Sequence, residues 1–178
     1  MALSIHTQKI QDTSDKSLSW GPLSELPTKP NAEIQSWLTD QGSLTEALIN
    51  KSQNQFHVNL VSEEWVSYVD ADLLAKFGPL NQNHRFWSRK VVLLGKGCPW
   101  VTAHTLLPEH SLFSPLKQVL ELNNKPLGEF LFNHSQLIRT DLDFAMVDEN
   151  CWGRRSLFYL FGKPIMVTEF FLPQFFEV

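Results

Sequence analysis

Apolar residues Ile34, Trp37 and Leu38 recur at i, i+3 and i+4. That is the spacing of one helical face, and it predicts a helix from Ala32 that Gly42 ends. Ser43-Leu44-Thr45-Glu46 has the order of a capping box and starts a second helix through about Ile49. Past Lys51 the period shortens to two. Gln55–Val69 alternates loosely, with Phe56, Val58 and Leu60 set against His57, Asn59 and Val61. A short helix is predicted over Ala71–Phe77, ended by Gly78-Pro79. Phe86–Leu94 and Cys98–Leu107 read as two strands of a hairpin turning at Gly95-Lys96-Gly97. Ser114-Pro115 predicts a helix through about Leu122, with Ser114 as its cap, and Pro126-Leu127-Gly128 predicts another through Phe132. Gln136–Met146, Trp152–Phe161 and Pro164–Leu172 read as strands, the last two joined at Gly162-Lys163. Hairpins and helices without a βαβ rhythm imply an α+β fold around a single, mostly antiparallel sheet.

Composition narrows the class. The chain has 178 residues, 43% of them hydrophobic and 19% charged, enough apolar material for one domain with a true core. Residues 1–31 are polar and broken by Pro22, Pro27 and Pro30, and are expected to form an arm on a single domain spanning 1–178. A formal net charge of -4 argues against a nucleic-acid partner. No run approaches the ~18 apolar residues of a membrane span, and the N-terminus has no signal-like stretch. Two cysteines, Cys98 and Cys151, cannot staple a secreted scaffold. A soluble, cytoplasmic protein is therefore expected. No P-loop, nucleophile elbow, dinucleotide fingerprint or paired-histidine metal motif occurs, so the chemistry is expected to need no metal and no cofactor.

The informative residues are charges inside apolar strands. Alternation puts Arg89 on one face with Trp87, Val91 and Leu93, and Glu169 with Ile165, Val167 and Phe171. A buried charge without a partner costs several kcal/mol, so each must find one. Either the two pair directly, or one lies at a sheet edge, or both point into an enclosed cavity and bind something polar. An arginine suits a carboxylate because its planar fork offers two parallel hydrogen bonds. Leu44 and Leu127 would open their helices, and first-turn N–H groups also attract anions. Taken alone, each helix start more simply faces water.

The blocks Arg85-Phe86-Trp87-Ser88-Arg89, Cys98-Pro99-Trp100, Lys125-Pro126-Leu127-Gly128, Trp152-Gly153-Arg154-Arg155-Ser156, Gly162-Lys163-Pro164 and Thr168-Glu169-Phe170-Phe171-Leu172-Pro173 occur in this order. From about Trp37 to Pro173 the chain resembles chorismate lyases, which supply 4-hydroxybenzoate for ubiquinone. The resemblance implies a single antiparallel sheet whose ligand cavity is closed by helical flaps. It also implies that Arg89 binds the ring carboxylate of chorismate, helped by the backbone amides of Leu127 and Leu44, and that Glu169 contacts the ring hydroxyl. Substrate chorismate and product 4-hydroxybenzoate are the implied partners, with pyruvate leaving. A monomer is expected, although the sequence does not fix oligomeric state, and an aromatic pocket behind flaps predicts that product release limits turnover.

The substrate's second carboxylate, on its enolpyruvyl arm, stays open among three arginines. Arg154 and Arg155 lie on opposite faces of one strand, each apolar enough that alternation does not choose. Arg139 alternates with Asp141 and Asp143, which predicts a solvated salt-bridge face. The competing readings are a non-catalytic module that senses a small acid, as in effector domains of similar fold, and a purely structural protein with an Arg89–Glu169 ion pair.

Overall fold

The computed structural model describes residues 18–67, 71–80 and 83–177. The arm's first 17 residues and the end of the first predicted strand, at 68–69, lie outside them. Seven strands form one antiparallel sheet: β1 (Phe56–Val66), β2 (Phe86–Gly95), β3 (Cys98–Pro108), β4 (Ile138–Arg139), β5 (Asp143–Asp148), β6 (Cys151–Leu160) and β7 (Lys163–Phe171). Their order is β1-β2-β3-β7-β6-β4, and β5 pairs with β6 along the same edge as β4. The fold is thus α+β with a single, mostly antiparallel sheet, as its alternating segments imply.

Two features of the ladders matter for the cavity. β1 carries a bulge between Leu60 and Ser62, after which Glu63 stands opposite Arg89 of β2. At the other side of the sheet, Arg154 of β6 stands opposite Glu169 of β7. Arg89 and Glu169 are separated by β3, where Thr105 faces the first and Ala103 the second. Two strand spacings and an offset of two residues along β3 make that gap roughly 12 Å between backbones.

One face of the sheet carries most of the helices. α1 (Ala32–Thr39) and α2 (Leu44–Lys51) form the expected hairpin through Gly42, with Ser43 Oγ accepting from the Glu46 amide at 3.3 Å. Leu38, Leu44 and Leu48 pack on Val58, Val91, Leu93 and Trp100. α4 (Leu127–Phe132) follows a 3-10 helix at Leu116–Glu121 and packs with it on Leu107, Phe158, Ile165 and Val167. The expected α-helix at 114–122 is therefore corrected to a 3-10 turn that Ser114 does not cap. Its buried residues Leu116, Val119 and Leu122 recur every three positions, which fits 3.0 residues per turn rather than 3.6.

The opposite face is covered at one end by α3 (Ala71–Phe77), with Phe77 against Phe86, Leu106, Leu157 and Met166. It also holds a buried polar pair, Ser88 Oγ 2.8 Å from His104 Nε2. Burial, aided by the charge of Lys90, pushes the His104 imidazole down to about 4. The short α5 (Pro173–Phe176) closes the chain, Phe175 packing edge-on against Trp37 and Trp100.

Candidate active site

Between the sheet and the two helical flaps lies a cavity with about 570 Å³ of empty space, part of it at the open mouth. Val58, Val91, Leu93, Ala103, Phe158 and Val167 give it an apolar wall. Into this wall project Arg89, Arg139, Arg154 and Glu169, and Leu44 and Leu127 line it from the first turns of α2 and α4. The four site residues expected from the sequence therefore meet around one chamber. Arg89 and Glu169 are not bonded to each other. Each has its own partner.

Arg89 is 1% exposed, and its Nε donates to Glu63 Oε1 at 3.2 Å. Its Nη2 donates to the carbonyls of Asn123 at 2.7 Å and Lys125 at 2.9 Å. Burial pulls this guanidinium below its ordinary range, and Glu63 opposes the shift. The expected bidentate fork is corrected here, because both Nη2 hydrogens already hold the loop before α4. What Arg89 can offer a ligand is Nη1. The same loop is tied to the sheet by Asn124 Oδ1, which accepts from the Leu60 amide at 3.1 Å beside the β1 bulge. Arg89 thus also fixes the chain two residues ahead of Leu127.

Arg154, equally buried, repeats the arrangement on the other flap. Its Nε donates to Glu169 Oε2 at 2.6 Å, and its Nη1 donates to Trp37 O at 2.9 Å and Asp40 O at 2.8 Å. These carbonyls lie at the C-terminal end of α1, the negative end of its dipole, where a cation is favoured. The contact holds the turn that leads through Gly42 and Ser43 to Leu44. Oε1 of Glu169 is left for the cavity.

The remaining arginines separate cleanly. Arg155 points to the opposite face, where it donates to Asp143 Oδ2 at 3.4 Å and lies over the Trp20 ring at 4.5 Å. Arg139 overturns the expected solvated face. Gln136–Met146 is not one strand but two, β4 and β5, interrupted at Thr140–Leu142. Thr140 closes the break by donating from its amide to Leu157 O and accepting from the Leu157 amide at its hydroxyl. The break resets the alternation, so Asp143 faces Arg155 and Lys76 while Arg139 faces the cavity. Its Nε donates to Ser156 Oγ at 2.9 Å, and its guanidinium lies 4.8 Å from the centre of the Phe158 ring.

The flaps touch at their N-termini. A Cβ on Gly128 would lie 2.5 Å from Thr45 Oγ1, so only glycine lets α4 come this close to α2. Among the described residues no group of three or more His, Cys, Asp or Glu is placed to hold a metal ion.

Sequence reasoning missed Glu63 and misplaced Arg139. The loosened alternation at Val61 was the only trace of the bulge that turns Glu63 inward, and nothing local announced the break after Arg139.

The cavity thus holds an arginine and a carboxylate two strands apart on one face of the sheet. The family described as Chorismate lyase matches residues 16–178. The chain belongs to the chorismate lyase family. A chorismate pyruvate-lyase of Yersinia enterocolitica is 36% identical over 158 residues, covering 89% of this chain and 90% of the relative. One from Sodalis glossinidius is 38% identical over 157 residues, covering 85% of this chain and 84% of the relative. Among solved structures, the effector domain of PhnF from Mycobacterium smegmatis aligns with a TM-score of 0.54. Identity is 17%, and the alignment covers 76% of this chain and 91% of that domain. That likeness shows that this chain shares a fold with that effector domain, and nothing about activity.

Proposed function

We propose that this protein removes pyruvate from chorismate to give 4-hydroxybenzoate, the aromatic acid that feeds ubiquinone synthesis. The observation that carries the reading is that Arg89 and Glu169, not bonded to each other, face across one apolar chamber, in a chain of this family. Chorismate is a cyclohexadiene with a ring carboxylate, a hydroxyl and an enolpyruvyl ether. The ring carbon's bond to the ether oxygen breaks, the hydroxyl-bearing neighbour gives up its hydrogen as a proton, and enolpyruvate takes up a proton to become pyruvate. Atoms and charge balance, and the ring gains aromaticity. The protein's share is orientation and preorganised charge.

In this reading the ring carboxylate accepts from Arg89 Nη1 and from the Leu44 and Leu127 amides. Because Arg89 has only Nη1 to give, the two amides carry more of the clamp than a free fork would leave them. Glu169 Oε1 faces the ring hydroxyl at the far end and moves the proton that leaves the neighbouring carbon. Glu169→Gln should then lower kcat by about 100-fold or more, with KM changed far less. Equal losses in both would reduce Glu169 to a positioning group.

Product release follows flap opening, so turnover is limited by loss of 4-hydroxybenzoate. Added 4-hydroxybenzoate inhibits, and the rate falls with solvent viscosity. A viscosity-independent rate without product inhibition would contradict this. The enzyme acts in the cytoplasm as a monomer on this reading, which light scattering at assay concentration tests for the second part.

The deciding experiment mixes purified protein with chorismate and follows both products. Formation of 4-hydroxybenzoate and pyruvate in equal amounts is the expected result. One alternative is a non-catalytic sensor of small acids, and binding without turnover would select it.

A further inference from the structure

Three guanidiniums reach the cavity, and their charges are not met equally. Arg89 has the carboxylate of Glu63, and Arg154 has that of Glu169 together with the carbonyl end of α1. Arg139 has neither. Its partners among the described residues are a hydroxyl, an aromatic face and a long 3.4 Å contact to Asp40 O. None neutralises it, and its Nη2 is left over. Burial, then the nearby charge of Arg154, lowers this guanidinium to about 10 while Glu169 and Asp40 pull the other way. It stays cationic at neutral pH and lies within electrostatic reach of Glu169.

We infer that Arg139 binds the second carboxylate of the substrate, the one on the enolpyruvyl arm, and so distinguishes substrate from aromatic product. The inference rests on the proposed reaction and deepens it. In chorismate the carbon bearing the ether adjoins the carbon bearing the hydroxyl. A hydroxyl held at Glu169 therefore puts the enolpyruvyl arm at the Arg139 end, away from the clamp on the ring carboxylate. Arg155 is on the wrong face, and Arg154 already carries a carboxylate. Ser156 and the Phe158 ring fix the guanidinium before any ligand arrives, which keeps the ordering cost of binding small. When the ether breaks, Arg139 is left holding pyruvate, while 4-hydroxybenzoate keeps every contact made by Arg89, the two amides and Glu169.

The test is a split between two affinities in one variant. Arg139→Gln should raise KM for chorismate by about 10- to 100-fold. Its Kd for 4-hydroxybenzoate, read by quenching of tryptophan fluorescence, should stay within about twofold of the wild type. Arg139→Lys, which keeps charge but not the fork, should recover part of the loss. Retained product binding shows at once that the variant is folded. A chorismate KM left unchanged would overturn the assignment, as would a parallel fall in affinity for both ligands. If the unaltered protein neither turns over chorismate nor binds 4-hydroxybenzoate, the proposed reaction itself fails and takes this inference with it. A wild type that works beside an insensitive Arg139→Gln breaks the inference alone.

Discussion

The two flaps of the cavity are anchored in the same way but serve different ends. On each, a buried arginine stands opposite a glutamate on the neighbouring strand and spends a second nitrogen on backbone carbonyls just before a helix start. Arg89 with Glu63 holds the loop before Leu127. Arg154 with Glu169 holds the turn before Leu44. The difference lies in which member faces the chamber. On the α4 side the cation lines it and its glutamate does not, whereas on the α1–α2 side both do. One construction thus yields a site for an anion at one end of the chamber and a free carboxylate oxygen at the other.

The strongest way to break the comparison is to remove the cation that holds Glu169 and the turn before Leu44. Arg154→Met leaves the half-buried Glu169 without its partner and the α1 carbonyls unmet, and should cost about 3–5 kcal/mol in urea unfolding. Adding Glu169→Gln to it should restore much of that stability without restoring turnover. If the double variant is no more stable than the single, the ion pair is not what Arg154 contributes.

A sharper cut compares the two glutamates. Glu63→Gln should lower stability by about 1–3 kcal/mol through the buried Arg89 it leaves unneutralised. It should keep most of kcat, unlike Glu169→Gln. Steady-state rates of the pair side by side decide it, and similar kcat losses would erase the distinction drawn between the walls.

The contact between the flaps gives a smaller effect. Gly128→Ala pushes a methyl group into Thr45 and should cost about 1–3 kcal/mol while speeding release of 4-hydroxybenzoate, measured by stopped-flow fluorescence. A slower release would mean the flaps open by another route.

The smallest effect lies on the far face and serves as a control. His104 is held neutral, its folded value of about 4 lying below the ordinary 6.5. Between these values the unfolded chain binds more protons, so stability is full above about 6.5 and falls as pH drops toward 4. The loss is on the order of 1–3 kcal/mol. His104→Gln should flatten that slope in urea titrations from pH 7 to pH 4 and leave the cavity's ligand affinities alone.

The parts of this site that were legible in the sequence are those carried by strict alternation or by caps. Arg89 follows from its place among Val91 and Leu93, Glu169 from Val167, and the Leu44 helix start from Ser43. The rest depended on register and on through-space contacts. Glu63 turns inward only because of one extra residue at Val61, and Arg139 only because β4 stops after two residues. The carbonyls that occupy Arg89 Nη2 come from 34 and 36 residues away, a separation no periodicity encodes. Arg154 and Arg155 were separable only once the pairing of β5 with β6 had fixed which face each belongs to.

The bulge in β1 carries a consequence for how this chain can vary in length. β1 is the outermost strand, where insertions and deletions would ordinarily be absorbed at little cost. Dropping a single residue at position 61 would shift the downstream half of the strand by one place, swing an acidic group into solvent, and strand a cation at the heart of the molecule. A rim position is in this respect as constrained as the centre, and substitutions there should be tolerated far better than changes in number.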